Sequence, residues 1–402
     1  VASKSLKTRA MIALVLGLFA GRPAAALTFN LIDTGGAGID TQARAGFEAA
    51  AGFWSSVLTN DVTINLNIGF QALGANILGS TSSSRTLLSM SQSYSALAAA
   101  STSTLDAMAV AGLQPLSAST AVRGNNALVV TANALNATKT GYVDTATRID
   151  NDGGVNNSAL AMTSANAKAL GIATDVNGNP VLAGGIDGSI TFSSDFSFDF
   201  NPMDGIDPSA YDFIGVAIHE IGHALGFTSG VDTYDAHTSP NGPTGGSVEN
   251  LVVASTLDLF RYSAPGVLDW STSGDPKYFS LDGGQTALFG DAYFSLGAFN
   301  GDTHQASHWL ESPAGEPQLG ILDPTSAPGQ MQAVTGLDLA AFDAIGWTVN
   351  RNLLNNPSIR FTTAQLNAID GVPEPASWMM MIVGFGAIGG AMRRRSGMAA
   401  AA

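Results

Sequence analysis

The run Y-D-F-I-G-V-A-I-H-E-I-G-H-A-L-G, residues 211–226, constrains this chain more than any other stretch. Its apolar residues recur at helical spacing, so it predicts a helix over about Ala210 to Leu225 that must be packed against a core. His219 and His223 stand at i and i+4, which puts both imidazoles on one face, one turn apart. Two ligands of one tetrahedral zinc need that spacing. Glu220 lies about 100° further round the helix. It can take a proton from an attacking water without binding the metal itself. Gly226 then supplies a residue able to adopt the left-handed backbone that stops a helix sharply. All five histidines of the 402 residues lie between 219 and 308.

A catalytic zinc site takes three protein ligands and leaves one position open. The third is not given by spacing. Ser229, three residues after Gly226, is a poor ligand. Asp232, Asp235, His237, Glu249, His304 and His308 all remain available. Glu249 follows His223 by 26 residues, but G-G-S-V-E-N-L-V-V does not read as a helix start.

Composition narrows the setting. Apolar residues make up 45% and charged residues only 12%, which indicates a globular, loop-rich extracellular chain rather than a disordered one. The formal charge of −15 excludes nucleic acid and anionic membrane as natural partners. With no Cys there are no disulfides and no thiolate ligands.

The two ends read as address signals. Lys4, Lys7 and Arg9 precede the apolar run M-I-A-L-V-L-G-L-F-A, and Ala24-Ala25-Ala26 offers a cleavage site before Leu27, so residues 1–26 read as a secretory signal peptide. At the other end V-P-E-P-A-S-W precedes an apolar stretch from Trp378 to Met392 and then Arg393, Arg394 and Arg395. That stretch is short for a spanning helix of about 18–20 residues, and the arginines fit the cytoplasmic side. The segment 373–402 resembles the PEP-CTERM sorting signal of Gram-negative bacteria that make exopolysaccharide. The resemblance implies an exosortase-type enzyme as a partner, a transient or processed membrane anchor (a transmembrane helix), and a final location that is secreted, on the cell surface or in the extracellular matrix. Without both ends the chain keeps 10 basic and 31 acidic side chains.

Between them, residues 27–372 read as one decorated domain. T-F-N-L-I (28–32) is a strand, and Asp40-Thr41-Gln42 caps a helix running to about Leu58. V-T-I-N-L-N-I-G-F (62–70) alternates with period two and reads as a half-buried strand. Residues 80–112, rich in Ser, Ala, Leu and Met, read as one or two helices, and G-S-I-T-F-S-S (188–194) as a strand. V-D-T-A-T-R-I-D-N-D-G-G-V-N-N-S (143–158) is rich enough in oxygen ligands for Ca2+, but lacks EF-hand spacing and reads as a loop. The same holds for D-F-N-P-M-D-G-I-D-P, ending at Pro208.

H-E-I-G-H-A-L-G-F (219–227) resembles the metzincin peptidases, specifically their leishmanolysin-like branch, where the third histidine is delayed by an insertion. On that resemblance A-S-H-W (306–309) supplies the delayed ligand, His308. G-I-L-D-P-T (320–325) is similar to the turn beneath the metal, with Leu322 where the family has Met. G-L-D-L-A-A-F-D-A-I-G-W (336–347) is similar to the helix that closes the domain. The implied fold is α+β: a twisted mixed sheet packed on the active-site helix, with a mainly helical and loop C-terminal subdomain. The implied parts are an N-terminal subdomain 27–230, an insertion 231–303 and a C-terminal subdomain 304–372. The implied activity is a secreted zinc metalloendopeptidase, a hydrolase of peptide or protein substrates, with Glu220 catalytic and one Zn2+ on His219, His223 and His308. The strand at 188–194 is then expected to border the cleft. Tyr234, Tyr262, Tyr278 and Tyr293 are candidates to stabilise an oxyanion. The rival reading is an inactive, or non-peptide-acting, matrix or exopolysaccharide-associated protein on the same scaffold.

Overall fold

The computed structural model describes residues 27–119, 126–181, 184–313 and 315–369. The expected signal peptide and the C-terminal apolar stretch therefore lie outside the described residues. Among those described, no helix is long and apolar enough to cross a membrane.

The chain is a mixed α+β structure with several small sheets. The sheet that matters for the site has four strands: β1 (Thr28–Gly35), β2 (Thr63–Gln71), β3 (Gly79–Ser83) and β4 (Gly188–Ser193), in the order β1-β2-β4-β3. β1 and β4 both run parallel to β2, with Thr28 opposite Thr63 and Gly188 opposite Leu66. β3 is antiparallel to β4, with Gly188 opposite Ser83. The alternation in β2 buries Ile64, Leu66 and Ile68 toward the helices, as period two requires.

Two helices cover that face. α1 (Gln42–Val57) is capped by Thr41, whose hydroxyl accepts from the Arg44 amide at 3.1 Å. α2 (Phe213–Leu225) is the histidine helix. The two meet closely because Gly46 has no side chain: a Cβ there would lie 2.4 Å from the Phe213 ring. Trp54 of α1 is fully buried and donates its indole N–H to the Ile218 carbonyl at 3.1 Å. Trp347 does the same for the Leu225 carbonyl at 2.9 Å. Each indole brings a large apolar body and satisfies a buried acceptor at once. A buried apolar cluster continues from Leu27 to Leu366 through these residues.

Two expectations change. Residues 80–112 are not helical throughout: 79–83 and 85–89 are strands, and helices follow at Met90–Ala100 and Thr104–Gly112. The Ser- and Thr-rich segment hydrogen-bonds better in a ladder, and a helix begins only where Ser89 caps it. The histidine helix begins at Phe213 rather than Ala210, because Asp212 is its cap and accepts from the Gly215 amide at 3.0 Å.

The span 231–303 carries a short helix (Val231–Ala236) and a four-stranded sheet built from 261–264, 267–268, 277–279 and 293–294. After it come the helix α3 (Gly336–Ala344), a strand pair at 333–335 and 360–362, and the helix Thr363–Ile369.

Candidate metal centre

The α2 helix delivers His219 and His223 to the floor of a cleft of about 750 Å³, and the segment after Gln305 brings His308 to the same point. Their Nε2 atoms face one another: 3.0 Å between His219 and His223, and 3.2 Å from each to His308. Each ring is oriented from behind. Nδ1 of His219 lies 2.7 Å from the Ile321 carbonyl, Nδ1 of His223 2.7 Å from the Phe227 carbonyl, and Nδ1 of His308 3.2 Å from the Gln305 carbonyl. A carbonyl can only accept, so each Nδ1 carries the hydrogen and each Nε2 presents a lone pair. Three inward lone pairs cannot bond one another; a cation between them would satisfy all three.

The spacing suits zinc. Nitrogens at about 2.0–2.1 Å from a tetrahedral ion stand roughly 3.3 Å apart, close to the separations here. Electrostatics agree with that chemistry. Burial pushes His219 down to about 3, with His223 adding to the effect, and pushes His223 down to about 4. Burial, then His223 and His219, hold His308 well below the ordinary value. All three are neutral near pH 7, as ligation requires.

Local structure explains the presentation. Gly226 has φ +128 and ends α2, and the Phe227 amide returns to the Gly222 carbonyl at 3.1 Å. That turn is what sets the Phe227 carbonyl against His223. Leu322 is fully buried below the helix, where a Cβ on Gly222 would lie 3.4 Å from both its methyls. It fills the floor as an apolar side chain of this size can.

Glu220 is buried beside the histidines and burial pushes its carboxyl up to about 7, against a hydrogen bond from Thr81. The Thr81 hydroxyl lies 2.7 Å from Oε2 and 2.9 Å from the Glu220 carbonyl. Oε1 lies so close to Gly79 that a Cβ there would meet it at 2.6 Å. Both partners sit on β3, and residues 78–81 and 83 line the cleft. The expected cleft strand, 188–194, is instead internal, paired on both sides by β2 and β3. β3 is the border. Nothing in G-S-T-S-S announces this, because a short polar strand has no periodic apolar signature.

The other ligand candidates are engaged elsewhere. Ser229 donates its hydroxyl to Asp258, whose other oxygen accepts from the Gly230 and Ser255 amides. Asp232 accepts from the Ala306 amide at 2.6 Å and from the Ser307 hydroxyl, so it fixes the approach to His308. Asp235 accepts from the amides of Phe299 and Asn300. His237 turns Nδ1 to the Thr233 carbonyl at 2.8 Å, and Glu249 pairs with Arg148 at 2.6 Å. His304 forms a bridge with Gly297, away from the cleft lining. Among the described residues, the histidine group that can hold one ion is His219, His223 and His308.

The tyrosines also differ from expectation. Tyr234 is buried beside Asn156, Tyr262 donates to the Gly112 carbonyl, and Tyr278 donates to the Gly284 carbonyl. Neither they nor Tyr293 line the cleft; Tyr211 does. Tyr234 and Tyr262 are instead part of the continuous buried cluster.

A further residue went unread in the sequence. Asp338 of α3 is fully buried and accepts from Thr335 N at 2.7 Å, Trp309 Nε1 at 2.8 Å, Ile321 N at 2.9 Å and Leu322 N at 3.4 Å. It ties the segment after His308 to the turn that carries the Ile321 carbonyl. The capping box Thr335–Asp338 is visible in sequence, but the clamp is not. Asp338→Ala should cost about 3–5 kcal/mol in urea unfolding, since buried donors lose a charged acceptor. A loss under 1 kcal/mol would show the clamp to be incidental.

Residues 371–395 match the PEP-CTERM protein-sorting motif. This is an exported, surface-targeted protein. The motif is the part of the chain that an exosortase-type enzyme recognises. No curated protein and no solved structure matches the chain.

Proposed function

We propose that this protein is an exported zinc-dependent endopeptidase of metzincin type, hydrolysing peptide bonds in the cleft between β3 and the histidine helix. The observation that carries the reading is the trio of inward Nε2 lone pairs, each ring held by a carbonyl on its far nitrogen. His219, His223 and His308 would hold the zinc, which supplies Lewis acidity and makes water nucleophilic near neutral pH.

The chain's own groups supply the rest. Glu220 takes the proton from the attacking water and returns it to the leaving amine. Thr81 holds Oε2 and so sets the carboxylate plane. β3 is a sheet edge, with its partnered side turned to β4 and the cleft along its residues. An extended peptide can add to that edge through backbone hydrogen bonds, which favours a peptide over a branched polymer as substrate.

The test is chelator-sensitive cleavage of an unfolded protein substrate by the full chain. Stripping the metal should abolish cleavage, and one equivalent of zinc should restore it. Bound zinc with no cleavage of any protein or peptide would move the reading to the matrix or exopolysaccharide-associated alternative.

A further inference from the structure

Resting on the peptidase reading above, we infer that Gln332 is a specificity-determining residue of the cleft. The subsite it closes takes the side chain of a tyrosine that flanks the scissile bond.

The two ends of the cleft differ. Past His223 it is lined by Thr228, Ser229 and Asp232, all polar. Toward the start of α2 it is lined by Ile77, Leu78, Phe196, Tyr211 and Val216. Ile77 is 44% exposed although large and apolar. The Tyr211 amide donates to the Ser197 carbonyl at 3.0 Å, and its ring meets Phe196 edge-on with centroids 5.6 Å apart. Both rings are only half-buried, so each keeps a face or edge that a third ring can cover. A concave, mostly apolar surface with few polar groups is what binds an aromatic side chain, and the polar groups set its orientation.

Gln332 is a polar group at that end. It is 5% exposed and still lines the cleft. Its main chain is fully engaged: the amide donates to Asp212 Oδ2 at 3.1 Å, and the carbonyl accepts from the Thr363 amide at 3.1 Å. The side-chain amide makes no hydrogen bond to the described residues, and its Oε1 is buried without a donor. Gly215 fixes where that amide lies. A Cβ there would meet Oε1 at 2.6 Å and Cδ at 3.0 Å, so the amide rests against α2 at a position where the helix has no side chain. A Cα–H can only donate, so the oxygen belongs on the helix side and Nε2 is the donor left to the cleft. A nearly buried amide without partners costs free energy that a bound acceptor recovers.

Place and chemistry select the acceptor. Gly215 precedes His219 by one helical turn, about 5.4 Å, so the subsite adjoins the histidines and holds a residue next to the scissile bond. The Asp212 carboxylate beside Gln332 and the Asp323 carboxylate on the cleft wall disfavour an acidic side chain. A neutral oxygen at the tip of an apolar body fits, and the aromatic walls favour a phenol over an aliphatic amide. Phenylalanine would fill the same walls but leave Nε2 unpaired.

The experiment uses the zinc-loaded full chain. Cleavage sites in an unfolded protein are mapped by mass spectrometry, and tyrosine should be the residue most enriched on one side of the scissile bond. Two peptides built from such a site, one with Tyr and one with Phe at that position, should differ at least about tenfold in kcat/KM in favour of Tyr. Gln332→Met keeps the length of the side chain and removes the donor; it should bring that ratio to about one with zinc content unchanged. Phe196→Ala, at a half-buried position, should raise KM for both peptides and weaken the preference for Tyr over Leu. Equal cleavage of the Tyr and Phe peptides by the wild-type chain, or an unchanged ratio in Gln332→Met, would overturn the assignment. No cleavage of any peptide would overturn it together with the peptidase reading, whereas cleavage without a tyrosine preference would overturn it alone.

Discussion

Glu220→Gln should lower kcat for protein cleavage by about 10²–10⁴-fold while leaving the bound zinc unchanged. The substitution is nearly isosteric, and a glutamine carbonyl still accepts from Thr81, so the side chain keeps its place beside β3. What it loses is basicity. A carboxylate can take and return a proton; an amide can do neither. The three imidazoles are held by carbonyls of Ile321, Phe227 and Gln305 and not by the Glu220 carboxylate, so the metal should stay. Zinc content and single-turnover cleavage, measured on the same preparation, separate the two effects. A variant that cleaves at the wild-type rate would remove Glu220 from the chemistry and with it the proposed mechanism.

His308→Ala should strip the metal. Two histidines on one helix turn offer half a tetrahedron, and the loss should exceed the roughly 10–100-fold in affinity that follows removal of an outer-shell partner. His304→Ala should leave zinc content unchanged, because His304 is bridged to Gly297 and does not line the cleft. The pair is informative because both residues lie on the same short segment and both variants remove an imidazole. Elemental analysis after gel filtration reads the result. Zinc retained by His308→Ala and lost by His304→Ala would reassign the third ligand.

The legible parts of this chain were those with local periodicity or local caps. α1, β2, β4 and α2 carry their apolar spacing in sequence, and Thr41 and Gly226 mark two helix ends by their own chemistry. His219, Glu220 and His223 are neighbours on one helix, so their common purpose is readable from spacing. His308 is not: 85 residues separate it from His223, and only a resemblance pointed to it, against six other candidates. The structure brings it to the other two rings.

The unread parts depend on contacts between distant segments. β3 is not legible as a strand because Ser and Thr carry weak preferences and its pairing partner lies more than 100 residues away. Thr81 and Gly79 matter only because that pairing sets them against Glu220. Asp338 announces itself as a cap, yet three of its four donors, Trp309, Ile321 and Leu322, come from outside its helix. The tyrosines of 231–303 are candidates by proximity in sequence, but Tyr234 is buried in a short helix and Tyr262, Tyr278 and Tyr293 lie in a small sheet, none of them lining the cleft.

The central claim is that three imidazoles of this chain hold one zinc ion. X-ray absorption at the zinc edge of the full-length protein tests it most directly. The account predicts a four-coordinate zinc with three imidazole nitrogens at about 2.0–2.1 Å and one light-atom ligand that exchanges with solvent. A spectrum requiring fewer than three imidazoles, or a chain that binds no zinc at all, would contradict it.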